Sequence, residues 1–174
     1  KGEILVIMGG SGGGKSTLLR LLIGAMRPTS GSIEMLGTDL TRLDEEGLDE
    51  LRKKTGILFQ SGALFNSMTV GENIALPLKE HTKLSADVIG IMVKMKLEMV
   101  GLRDFEHLKP SEISGGMKKR VGLARAMALD PQIMFYDEPS AGLDPVASAM
   151  IDELMMDLNK KTGVTSHERK RARA

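Results

Sequence analysis

The sequence predicts an α/β fold: a mostly parallel sheet flanked by helices, with an α-helical subdomain inserted between its strands. Three observations carry this. Short apolar runs, "EILVIM" at 3–8, "TGILFQ" at 55–60 and "QIMFYD" at 132–137, alternate with stretches of helical periodicity. A glycine cluster joins the first run to the first helix, the punctuation of a strand-to-helix turn. The stretch from 70 to 129 is rich in helix signals and interrupts the alternation. Strands separated by helices favour a parallel layer, because each crossover lays its helix on the sheet.

Taken in order, the run at 3–8 is apolar after Glu3 and ends at glycine, as a buried strand does. "KSTLLRLLIGAM" (15–26) is helical in period and stops before Pro28, which cannot continue a helix. "SGSIEMLGTD" (30–39) reads as a strand and turn, "DEEGLDELRKK" (44–54) as a polar helix, and 55–60 as the next strand. Inside the helical block, Val88, Met92, Met95 and Met99 fall at i, i+4, i+7 and i+11 and are expected to pack as one core face. "PVASAMIDELMMDLNKK" (145–161) is a helix opened by Pro145, with Ile151, Leu154, Met155 and Leu158 on its buried face. The end, "GVTSHERKRARA" (163–174), shows no strand pattern; residues 169–174 are expected to form a solvated basic tail.

Composition narrows the class. The chain has 174 residues, 41% hydrophobic and 27% charged, enough to bury the core of one soluble domain. No apolar run approaches the ~18 residues of a membrane span. Cysteine is absent, so disulfides play no part. The net charge of +1 hides an asymmetry: without the four basic residues of 169–174, 20 Lys and Arg face 23 Asp and Glu. A mildly acidic body argues against nucleic acid as a partner.

"GGSGGGKST" (Gly9, Gly10, Ser11, Gly12, Gly13, Gly14, Lys15, Ser16, Thr17) matches G-x-x-x-x-G-K-[ST] between a strand and a helix. Glycines let backbone N–H groups curl round a phosphate, and the helix N-terminus adds positive potential. Lys15 can reach the β- and γ-phosphates and Ser16 can ligate Mg²⁺, so the motif predicts a P-loop nucleoside triphosphate site. Asp137, ending the strand at 132–137, can serve the Mg²⁺, and Glu138 can deprotonate an attacking water. "ISGGMKKR" (113–120) puts Ser114, Gly115 and Gly116 at a second helix start. Taken alone, that serine is an ordinary N-cap.

In this order, the loop, Gln60 after a short strand, Ser114–Gly116, Asp137–Glu138 and "SAGLDP" (140–145) resemble the ATP-binding cassette ATPases over nearly the whole chain. A GTPase would need an Asn-Lys-x-Asp motif, which is absent, and a kinase reading leaves the second helix start unexplained. "LFQSGALFNSMTVGENIALPLKEHT" (58–82) looks like the ATPase of Mla-type phospholipid transporters, which work with MCE-domain proteins.

The resemblance implies a RecA-like core (1–69 and 130–168) with a helical subdomain (70–129), without the family's upstream strand and usual C-terminal part. It implies ATP bound at Gly9–Thr17, Mg²⁺ served by Ser16, Gln60 and Asp137, and Glu138 and Gln60 acting in catalysis. Ser114–Gly116 would close a partner's site, and Asp144 would couple the two. Residues near 61–80 would border a groove for a membrane subunit; the alternative is that Leu64, Phe65 and Val70 are core. The family's histidine at the γ-phosphate corresponds to His167, but the extended span from Lys161 falls slightly short of the nucleotide edge. The adenine-stacking aromatic would lie upstream of Lys1, and His81 and His107 read as surface residues.

The implied assembly is a homodimer of nucleotide-binding subunits with an integral membrane permease and an MCE-domain lipid-binding protein. It would sit peripherally on the cytoplasmic face of the bacterial inner membrane and hydrolyse ATP to drive phospholipid transport. Alternatives are another ABC exporter or lipoprotein-release ATPase, or a cassette that binds ATP without turning it over.

Overall fold

The computed structural model describes residues 2–10 and 12–171, and for 167–171 the backbone alone. In chain order the strands are β1 (Ile4–Gly9), β2 (Glu34–Met35), β3 (Thr38–Asp39), β4 (Thr55–Leu58), β5 (Ile133–Asp137) and β6 (Thr165–Arg171). The helices are α1 (Lys15–Leu22), α2 (Glu45–Arg52), α3 (Val70–His81), α4 (Ala86–Met99), α5 (Gly115–Ala126) and α6 (Pro145–Thr162). Four strands form one parallel sheet in the order β1-β6-β5-β4, while β2 and β3 make a small antiparallel pair. Through Arg169, Asp137 lies level with Ile7, so β1 and β5 deliver Gly9 and Asp137 to the same carboxyl edge. Ligands of open parallel sheets bind at that edge.

Alternation along β5 divides the core. Met134 and Tyr136 join the larger cluster with α3, α4, α5 and α6, among them Ile74, Leu97, Val121 and Ile151. Phe135 joins a smaller one with Leu19, Leu40, Leu48 and Leu51. The helical block thus shares its core with one face of the sheet.

Local chemistry sets the helix ends. Thr69 and Glu72 form a capping box at α3, Ser85 caps α4, and Gly163, at φ +64°, ends α6 in the left-handed conformation. Gly56 in β4 allows α5 to approach: a Cβ there would collide with the Ala126 carbonyl and the Met134 sulfur.

β1, expected as a buried strand, instead has Ile4, Leu5, Val6 and Met8 exposed, because it is the edge strand of the sheet among the described residues. Two further expectations are corrected. The buried face of α4 is Ile89, Val93, Lys96 and Leu97, while Val88 and Met95 are 41% and 59% exposed. Met92 and Met99 only flank the core. Ile89, Val93 and Lys96 repeat the i, i+4, i+7 spacing one residue further on. Lys96 is tolerated there because its ammonium pairs with Asp130.

The last correction concerns the chain end. Thr165–Arg171 forms β6 between β1 and β5, so the basic stretch enters the sheet instead of starting as a tail at 169. Backbone pairing on two edges needs no apolar side-chain pattern, and the slot between β1 and β5 supplies both edges.

Candidate functional site

β1 ends in the glycine loop, which turns through left-handed Gly12 (φ +80°) and Gly14 (φ +77°) into α1. No side chain caps α1 and its first turn holds no acidic residue, so the helix start presents backbone N–H groups and positive potential to an incoming anion. Lys15 is only 7% exposed; its Nζ donates to the Gly9 and Gly10 carbonyl oxygens, both at 2.7 Å. Its ammonium is thereby held against the loop, with Ser16 and Thr17 exposed beside it. Ser11, the remaining loop position, lies outside the described residues.

Asp137 closes β5, and Glu138 follows it at 5% exposure with φ +47°. A non-glycine residue in the left-handed region costs roughly 1–3 kcal/mol, and such positions cluster at functional sites. Asp137, Gln60, Ala141 and Gly142 line an open cleft of about 500 Å³ with Phe59 and Ser61. The structure therefore brings together Gln60 and Asp137, which the sequence separates widely.

Ser114, Gly115 and Gly116 lie elsewhere. The Ser114 hydroxyl accepts from the Met117 N–H at 3.2 Å as the N-cap of α5, and the serine and Gly115 are exposed. A Cβ on Gly115 would meet Leu143 and one on Gly116 would meet Ala147, so this helix start packs on the "SAGLDP" segment and the first turn of α6. It does not line the cleft beside Asp137. Asp144 caps α6, accepting from the Val146 and Ala147 N–H groups at 3.0 and 2.9 Å.

Sequence reasoning missed two residues of α5. Lys119, 5% exposed, donates to the Gln60 backbone carbonyl. Burial pulls its ammonium below the usual lysine range, while the nearby Asp137 and Glu138 carboxylates pull it back up. Arg125 donates to the Gly62 and Ala63 carbonyls at 3.0 and 2.9 Å and lies 5.7 Å from the Phe65 ring centroid; burial lowers its pKa. The available signal was a lysine on the stripe that continues through Leu123 and Ala126.

The backbone of His167 pairs with Leu5 and Phe135, two residues before the level of Asp137, and its side chain lies outside the described residues. His81 and His107 are exposed, as expected. On the other side of Phe59 runs an apolar groove of about 740 Å³, bordered by Phe65, Leu76, Pro77, Arg125 and Leu129. Phe65 is 49% exposed on it, whereas Val70 is fully buried and Leu64 packs against the core. No helix among the described residues is long and apolar enough to cross a membrane.

The chain is similar to known proteins. The ABC transporter family model matches residues 1–141. The "Probable ribonucleotide transport ATP-binding protein mkl" of Mycobacterium leprae is 51% identical over 164 residues, which are 94% of this chain and 47% of that one. The "Intermembrane phospholipid transport system ATP-binding protein MlaF" of Haemophilus influenzae is 49% identical over 166 residues, 95% of this chain and 63% of that one. This chain thus spans about half to two thirds of the length of these curated relatives. A dimeric ATP-binding cassette solved in a post-hydrolysis state with ADP and Pi superposes with a TM-score of 0.86 at 34% identity, covering 97% of this chain and 75% of that one. Matched over residues 1–141 of 174, the chain belongs to the ABC transporter ATP-binding family.

Proposed function

We propose that this chain is the ATP-binding and hydrolysing cassette of a bacterial ABC transporter that moves phospholipid at the cell envelope. The observation that carries the nucleotide reading is the buried Lys15 ammonium, held on the loop carbonyls beside an uncapped helix start. In this reading Gly9–Thr17 take the phosphates and Glu138 accepts a proton from the attacking water. Gln60 and Asp137 at the cleft and the exposed Ser16 on the glycine loop offer oxygen ligands, the chemistry Mg²⁺ prefers. Among the described residues no three His, Cys, Asp or Glu side chains gather into a metal cage. That fits a cation held mainly by substrate phosphates. When bound, Mg²⁺ supplies neutralisation of charge developing on the γ-phosphate.

Two chains would form the working unit. Ser114 and Gly115 are exposed and do not line the chain's own cleft, which suits contact with the partner's nucleotide. Asp144, at the head of α6 next to them, would couple the two sites. The groove beside Phe65 would receive a segment of an integral membrane permease. That permease would hold the cassette on the inner face of the bacterial inner membrane, with an MCE-domain lipid-binding protein completing the system. In this reading 1–69 and 130–168 form the RecA-like core and 70–129 the helical subdomain. The phospholipid substrate is supported by the MlaF relative, and the mkl relative supports ribonucleotide as the rival.

The test is sedimentation of the Glu138→Gln variant with Mg-ATP. The expected result is an ATP-dependent dimer that adding Ser114→Arg abolishes. A dimer indifferent to Ser114→Arg would remove the sandwich from the proposal.

A further inference from the structure

Lys119 stands apart from the residues assigned above. It sits five residues after Ser114, on the helix that faces outward at its start, yet its side chain points inward and is 95% buried. There its ammonium donates to the backbone carbonyl of Gln60, within the electrostatic influence of the Asp137 and Glu138 carboxylates. The same loop is held to α5 at two further points. A Cβ on Gly122 would come 3.0 Å from the Gly62 carbonyl oxygen, and Arg125 bonds the Gly62 and Ala63 carbonyls. Of these three, Lys119 is the one that bonds Gln60, which lines the cleft beside Asp137.

We infer that Lys119 is a positioning residue for the divalent-cation side of the nucleotide site: its buried ammonium fixes the Gln60 backbone in the cleft that Gln60 and Asp137 line together. This deepens the Mg-ATP reading and rests on it. Gln60 follows β4 in a loop while Asp137 ends β5, and a buried ammonium on a third element, α5, holds the loop residue in place. Groups behind a metal's own ligands tune affinity by roughly 10–100-fold when removed. Because Lys119 belongs to α5, the arrangement also ties the Ser114 end of this helix, which would face the partner's nucleotide, to the chain's own cation side.

The experiment is calorimetric titration of the whole chain with ATP, with and without Mg²⁺, comparing the parent with Lys119→Met and Lys119→Arg. The parent should bind more tightly when Mg²⁺ is present. Lys119→Met should lose about 10-fold of that Mg²⁺-dependent gain while binding metal-free ATP as the parent does, and Lys119→Arg should restore most of it. A merely structural role would weaken both titrations together and would not be rescued by arginine; that result overturns the proposal. So does a Lys119→Met variant indistinguishable from the parent. A parent that binds no ATP at all sinks the nucleotide reading itself, and Lys119's role with it.

Discussion

Glu138 shows what a single residue is asked to do here. It is nearly buried, it follows a strand end, and it takes a left-handed backbone that a glutamate adopts only under constraint from its surroundings. A carboxylate held in place in this way fits the proposed water-activating role, and removing its basicity should be costly. Glu138→Gln should lower Mg-ATP turnover by about 100-fold or more, the range of general-base loss. His167 makes the contrast. Its backbone stands two residues short of Asp137, about 6–7 Å along the strand, so His167→Ala should leave turnover within about 2-fold. Steady-state phosphate release from the two variants, side by side, checks both; equal losses would show that His167 works at the phosphate.

At the scale of elements, the helix and strand plan was legible because its punctuation is local. The glycine cluster before α1 and Pro145 at the start of α6 are written in neighbouring residues. What was not legible depends on neighbours far along the chain. β6 has no alternation to reveal it; its pairing is set by β1 and β5. The face of α4 was misread by one residue because apolar side chains occur nearly all round that helix, and the true face carries Lys96, which only Asp130 makes tolerable. In the site, the glycine loop and the Asp137–Glu138 step could be read from spacing, but Lys119 could not, since its partners lie on other elements. The corrected face of α4 predicts opposite results from one kind of substitution. Met95→Lys adds a charge at an exposed position and should change stability by no more than about 0.5 kcal/mol. Val93→Lys buries one without a partner and should cost about 3 kcal/mol or more, lowering Tm by roughly 6–12 °C for a chain of this size. Thermal melts of the two variants decide it; equal melts would restore the first reading of the helix.

The described chain predicts two routes to self-association. One is the proposed sandwich, driven by Mg-ATP through Ser114–Gly116. The other needs no nucleotide. β1 is the edge strand of the sheet among the described residues, and Ile4, Leu5, Val6 and Met8 on it are 38%, 52%, 42% and 67% exposed. An exposed apolar edge offers both unpaired backbone groups and hydrophobic area to another chain. Natural edges are blunted by charge, lysine above all, and here the run from Ile4 to Met8 carries none. Leu5→Lys places a charge in the middle of that edge, at a position remote from the glycine loop. Light scattering at rising protein concentration without nucleotide should fall in this variant. Dimerisation of the Glu138→Gln chain with Mg-ATP should be unaffected when Leu5→Lys is added. If the scattering stays unchanged, the edge of β1 is not the route; if the ATP-dependent dimer is lost as well, the two routes share a surface and the exposure of Ser114 and Gly115 does not by itself define the dimer.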